Sequence, residues 1–98
     1  MHLKDRTAIV TGAGGGLGRS HALMLARMGA KVVVNDMHAE SAERVAEEIR
    51  ALGGEAIGIA ASVTDEAAVA AMVGQAIEKW GRVDILVNNA GILRDKSF

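Results

Sequence analysis

The sequence predicts an α/β fold: a doubly wound parallel sheet, β-α-β-α-β-α-β, with strand order 3-2-1-4. Short β-branched runs alternate with amphipathic stretches of helical length, and the joints between them are short. A glycine-rich turn, Thr11-Gly12-Ala13-Gly14-Gly15-Gly16-Leu17-Gly18, sits where the first strand passes into the first helix. Half of the 98 residues are apolar and only 2% are aromatic, as in sheets covered on both faces.

The elements follow in order. Thr7 to Val10 is a short apolar run that reads as the first strand. Leu17, Ala22, Leu25 and Met28 recur near helical spacing, and Gly29 stands where a C-terminal cap glycine belongs. Lys31 to Asn35 holds Val32-Val33-Val34, the signature of a buried strand. Glu40 to Leu52 is the second helix. Ala42, Val45, Ala46, Ile49 and Leu52 form its apolar stripe, and Gly53-Gly54 ends it.

Ala56 to Ala61 is the third strand. Thr64 is the expected N-cap of the third helix, with Asp65 and Glu66 complementing the dipole of its first turn. Val69, Met72, Val73, Ala76, Ile77 and Trp80 mark its inner face, and Gly81 closes it. Val83 to Val87 is the fourth strand, apolar on both faces and therefore a poor open edge. Met24, Met28 and Met72 are expected to fill the core. The chain reads as one domain over residues 1–98, the front part of a longer unit whose next strand would cover that edge.

Glycine between the first strand and the first helix suits a phosphate ligand. A tight strand-to-helix turn needs φ angles that a Cβ resists, and the backbone must come close to the ligand. The N–H groups and positive dipole end of the helix then face the anion. A flexible turn would also use glycine, but a cluster that follows a strand and opens a helix inside a β-α-β unit favours a pyrophosphate. Arg19 and His21 read as helix-surface or packing residues.

Asp36 ends the second strand, 18 positions after Gly18. That is near the ~20-residue interval expected for an acid that accepts hydrogen bonds from an adenosine ribose. A carboxylate there would repel a 2′-phosphate by about 1–4 kcal/mol in a partly wet site. The residue therefore favours NAD over NADP, unless His38 or Arg44 receives the phosphate. A solvated Asp at a strand end is the plainer alternative.

The spacing Thr11-Gly12-x-x-x-Gly16-x-Gly18, together with Asn88-Asn89-Ala90-Gly91 after the fourth strand, resembles the N-terminal portion of the short-chain dehydrogenase/reductase family. The resemblance implies that Gly12, Gly16, Leu17 and Gly18 line the cofactor pyrophosphate and that Asp36 holds the adenosine ribose. It implies that Ser62 and Val63 lie beside the adenine. The family usually has Asp-Val there, so the Ser hydroxyl offers a weaker, uncharged contact, and Ser62 can equally be a strand-end turn former. Asn89, Ala90 and Gly91 would pass under the cofactor by their backbones, while Asn88 would tie neighbouring strands together.

The stretch from Asn88 to Phe98 is similar to (3R)-hydroxyacyl-CoA dehydrogenase units and to 3-oxoacyl-(acyl carrier protein) reductases, and Val33-Val34-Asn35-Asp36 leans toward the former. The activity so implied is NAD-dependent hydride transfer to or from an alcohol or carbonyl, with a 3-hydroxyacyl thioester as one candidate substrate. The family catalyses it with a Ser, a Tyr and a Lys four positions after the Tyr. This chain has no Tyr, and Lys4, Lys31, Lys79, Lys96 and Ser97 do not match those positions. No catalytic residue is therefore expected here, and the 98 residues by themselves are expected to be inactive. A non-catalytic nucleotide-binding module, or a remnant of an enzyme, is the alternative. A methyltransferase fits the glycine spacing and the Asn88–Gly91 segment poorly.

Eleven basic and twelve acidic residues leave a net charge of −1 with no basic stripe, so neither nucleic acid nor a membrane surface is an expected partner. There is no cysteine, and His2, His21 and His38 lack metal-ligand spacing. A small-molecule substrate, homo-oligomeric assembly of the full-length enzyme as a dimer or tetramer, and a cytoplasmic location complete the expectations.

Overall fold

The computed structural model describes residues 2–89. The elements run β1 (Thr7–Thr11), α1 (Gly16–Arg27), β2 (Lys31–Asp36), α2 (Ala39–Ala51), β3 (Ala56–Ala60), α3 (Glu66–Trp80) and β4 (Ile85–Asn88). The four strands form one parallel sheet in the order β3-β2-β1-β4. This is the predicted topology. In register, Ile9 of β1 lies between Val33 of β2 and Leu86 of β4.

Alternation along the strands divides the core into two layers. Ala8, Val10, Val32 and Val34 pack with Ala22, Leu23 and Leu25 of α1 and with Ala42, Val45, Ala46 and Ile49 of α2. Ile9 and Val33 face the other way, onto Met72 and Ala76 of α3. The central strands are thus apolar on both faces, which is why they read as continuous hydrophobic runs.

Several sequence expectations shift. The N-cap of α3 is Asp65, whose Oδ1 accepts the Ala68 N–H at 3.1 Å, and not Thr64. Thr64 instead turns toward Ser62, with their hydroxyls 2.7 Å apart. β4 starts at Ile85 rather than Val83 because Asp84 first anchors the chain to β1. Its N–H donates to the Thr7 carbonyl, and its Oδ2 accepts the Thr7 N–H at 2.9 Å.

Met24, expected in the core, is 48% exposed, since the buried face of α1 runs through Ala22, Leu23 and Leu25. Leu17, Leu52 and Ile77 also belong to predicted apolar stripes but lie exposed at stripe margins. Gly29 and Gly81 follow their helices with positive φ, as expected. Among the described residues no helix is long and apolar enough to cross a membrane, and no His, Cys, Asp and Glu cluster could hold a metal ion.

Candidate functional site

The turn between β1 and α1 lies at the carboxyl ends of the parallel strands, where open α/β sheets bind ligands. Gly12 (φ 59°) and Gly16 (φ 55°) have left-handed backbone that a side chain would strain. Gly18 is glycine for space. A Cβ there would lie 2.1 Å from the Gly12 carbonyl oxygen, so α1 rests directly on the turn. The turn is also pinned to β2, where the Ala13 N–H donates to the Asn35 carbonyl at 2.7 Å.

The mouth of α1 differs from that of α3. Asp65 caps α3, whereas α1 has no side-chain cap and no acidic residue in its first turn. No carboxylate of its own cap or first turn occupies its leading N–H groups, an arrangement that leaves them for an anion. Gly16 and Leu17 are exposed at this mouth.

Beside the turn lies a cavity of about 430 Å³ lined by Gly12, Asn35, Asp36, Ser62 and Val63, together with Met37, His38, Ala61 and Thr64. Four of the sequence-predicted residues thus line one cavity. The Asp36 carboxylate is held by two backbone donors: Gly14 N–H reaches Oδ1 at 3.2 Å and His38 N–H reaches Oδ2 at 3.1 Å. The His38 ring Nδ1 lies 3.3 Å from the same Oδ2. Two carboxylate oxygens offer about four acceptor directions, so capacity remains for the hydroxyls of a sugar.

Ser62 serves as a turn former, its Oγ accepting the Thr64 N–H at 3.3 Å, while it also lines the cavity. A larger cavity of about 540 Å³ opens at the amino ends of the strands, among Lys4, Arg27, Lys31, Leu52 and Glu55, and contains none of the predicted site residues.

The remaining predicted residues frame the site. Thr11 Oγ1 donates to Asn88 Oδ1 at 2.9 Å, tying β1 to β4 as the sequence suggested for Asn88. Asn89 Oδ1 lies 3.1 Å from the His21 ring, joining the end of β4 to α1. Ala90 and Gly91 lie outside the described residues. Arg19 forms a two-pronged ion pair with Glu48, with its Nε donating at 2.8 Å, so it links α1 to α2 as a surface residue. That hydrogen bond and the guanidinium charge hold the Glu48 carboxyl below the usual carboxylate range against its desolvation.

Three contributors escaped the sequence reading. Asn35 is buried beneath the cavity and donates from Nδ2 to the carbonyls of Ile59 and Ala61, fixing the end of β3 that leads to Ser62. A polar side chain closing a triple-valine strand was its visible signal. His38 was seen as a possible phosphate partner, and its backbone N–H also grips Asp36. Gly14 bonds the acid directly, and its signal was a glycine that the turn motif does not require.

Comparison with known proteins agrees with this fold. The family model for short chain dehydrogenases matches residues 6–98. Peroxisomal multifunctional enzyme A of Dictyostelium discoideum is 48% identical over 107 residues, covering 100% of this chain and 24% of the relative. A subunit of (2S)-[(R)-hydroxy(phenyl)methyl]succinyl-CoA dehydrogenase from Thauera aromatica is 44% identical over 94 residues, covering 96% and 38%. A solved 7 alpha-hydroxysteroid dehydrogenase, complexed with NADH and 7-oxo glycochenodeoxycholic acid, superposes with a TM-score of 0.85 at 45% identity, over 89% of this chain and 34% of that one. The chain therefore spans between about a quarter and two-fifths of the length of these relatives. The match of the family model over residues 6–98, together with the strand order, makes the chain a member of the short-chain dehydrogenase family.

Proposed function

We propose that this chain is the cofactor-binding side of an NAD-dependent oxidoreductase that interconverts an alcohol and a carbonyl. The observation that carries the reading is the Asp36 carboxylate, fixed on the cavity wall by the Gly14 and His38 N–H groups beside an uncapped helix mouth. Residues and cofactor fit. The first-turn N–H groups of α1 at Gly16, Leu17 and Gly18 suit a pyrophosphate, and the absent Cβ of Gly18 lets the helix approach the turn. Asp36 suits ribose hydroxyls, and Ser62 and Val63 suit an adenine edge and face. Asn89 with Ala90 and Gly91 would carry backbone beneath the cofactor.

When bound, NAD supplies the hydride acceptor or donor. The chain's own part is to bind and orient it. A proton relay is not expected from these 98 residues, which contain no Tyr, so the isolated chain is expected to bind nucleotide without turning over substrate. The relative named for a hydroxyacyl-type CoA substrate supports a hydroxyacyl thioester as substrate class. Assembly as a dimer or tetramer belongs to the same proposal. The cytoplasmic expectation stands beside a relative named as peroxisomal, and the reading concerns cofactor and reaction, whichever compartment holds them.

Equilibrium titration of the intact protein with NADH and NADPH tests the assignment. NADH should bind more tightly. Asp36→Ala should weaken NADH by about 10–100-fold, the equivalent of ~1.5–3 kcal/mol for hydrogen bonds to a charged group. NADPH should not weaken, because a repulsive charge has been removed. Equal affinity for both nucleotides in the unmodified protein, or an Asp36→Ala variant that binds NADH normally, would overturn the role of Asp36.

A further inference from the structure

We propose that Gly14 is a specificity-determining position of this site: its bare α-carbon and its N–H seat the Asp36 carboxylate on the glycine turn, so the choice between NAD and NADP is encoded at Gly14 as well as at Asp36. The inference rests on the reading of Asp36 given above and goes beyond it to a second residue.

Backbone conformation does not demand glycine at position 14. The positive φ values of the turn are at Gly12 and Gly16. What demands it is space. A Cβ on residue 14 would lie 2.8 Å from Asp36 Cγ and 3.0 Å from Asp36 Oδ1, as well as 2.6 Å from Ser41 Cβ. Ordinary van der Waals contact begins near 3.4 Å, so something must shift. Ser41 Cβ is fixed to the first turn of α2, whereas the carboxylate is the free end of a side chain.

The contact with Ser41 is relieved only if the turn and α2 part slightly, and the contacts with the acid only if the carboxylate swings aside. In moving, it loses the 3.2 Å bond from the Gly14 N–H and leaves the orientation in which the two backbone donors hold its oxygens. A carboxylate lifted off the turn presents fewer acceptors to ribose hydroxyls and less charge to a 2′-phosphate. Gly15 provides the contrast. A Cβ there meets nothing within 4 Å, and its φ of −179° is extended backbone open to any residue. The requirement is thus local to Gly14, not general to the glycine run.

The test is a set of nucleotide titrations on the intact protein, with circular dichroism to confirm folding. Gly14→Ala should weaken NADH about tenfold and leave NADPH unchanged or tighter, so that the NADH preference falls at least tenfold. Gly15→Ala should leave the preference within about twofold. With Ser41→Gly in place to remove the 2.6 Å contact, Gly14→Ala in an Asp36→Ala background should change NADH affinity less than about twofold, because the group through which it acts is gone. If Gly14→Ala alone does not fold, pairing it with Ser41→Gly removes the 2.6 Å contact and keeps those with Asp36.

Equal weakening of both nucleotides by Gly14→Ala, or a Gly14→Ala effect that persists in the Asp36→Ala background with Ser41→Gly in place, would overturn the proposal. The two readings fail separately. If Asp36→Ala leaves the preference intact, the ribose assignment falls. If Asp36→Ala abolishes the preference but Gly14→Ala acts independently of it, only the role of Gly14 falls.

Discussion

Replacing Asn35 with alanine should loosen the far wall of the candidate cavity while leaving the glycine turn in place. Asn35 is 1% exposed, and its Nδ2 donates to the Ile59 carbonyl at 3.0 Å and the Ala61 carbonyl at 3.2 Å. Each such bond contributes about 0.5–1.5 kcal/mol net, so losing both should cost about 1–3 kcal/mol. The lower half of that range is expected, because the adjoining cavity of about 430 Å³ can admit water to the abandoned carbonyls.

The backbone bond from the Ala13 N–H to the Asn35 carbonyl does not depend on the side chain, which is why the turn should persist. The loss should therefore be local to the end of β3. Hydrogen exchange is the assay, read at the Ala61 N–H, which donates to the Asp36 carbonyl at 3.0 Å. Exchange there should accelerate by about 5–100-fold if the opening is local, the kinetic equivalent of ~1–3 kcal/mol. NADH affinity should fall as Ser62 and Val63 lose their position. An Ala61 exchange rate unchanged in Asn35→Ala, with urea stability within about 0.5 kcal/mol of the parent, would refute the assignment of Asn35 as the tie between β2 and β3.

Two further outcomes follow from the same structure. Asp65→Ala should destabilise by about 1 kcal/mol through loss of the α3 cap, and Thr64→Ala by less, as measured by urea unfolding; the reverse order would restore Thr64 as the cap. Asp84 receives hydrogen bonds from Arg82 and from the Thr7 N–H, and these, with the charges of Arg82 and Arg6, hold its carboxyl below the ordinary range against desolvation. A depressed folded-state pKa adds stability that is complete above the unfolded value near ~4 and fades as pH falls through the lowered one. The stability gap between the parent and Asp84→Asn should thus be full at neutral pH and close in acid, and a gap that survives in acid below both values would count against this anchor.

Much of the site could be read from the chain because local constraints produced it. The triple valine, the glycines at 12, 16 and 18 and the acid at 36 each answer a requirement of a short segment: burial on both faces, a left-handed turn, room beneath a helix. These also carry the β-α alternation and the order β3-β2-β1-β4. The choice of Asp65 over Thr64 was not legible, since both residues cap helices and only the path of the chain after β3 decides which one meets the Ala68 N–H. Met24 and Ile77 were misplaced for a related reason. Helical spacing marks a face, but the sheet's width decides how much of that face is covered.

The amino-acid sequence by itself determined the fold class, the family and the two poles of the candidate site, because glycine turns and strand-end acids act through their nearest neighbours along the chain. Tertiary structure alone decided how the poles are joined. Gly14 and Asp36 are 22 positions apart, yet the Gly14 N–H meets the Asp36 carboxylate at 3.2 Å; Asn35 reaches 24 and 26 positions to hold the opposite wall. Contacts of that span exist only once parallel strands lie side by side, which brings their carboxyl ends, and everything attached to them, to one edge of the sheet.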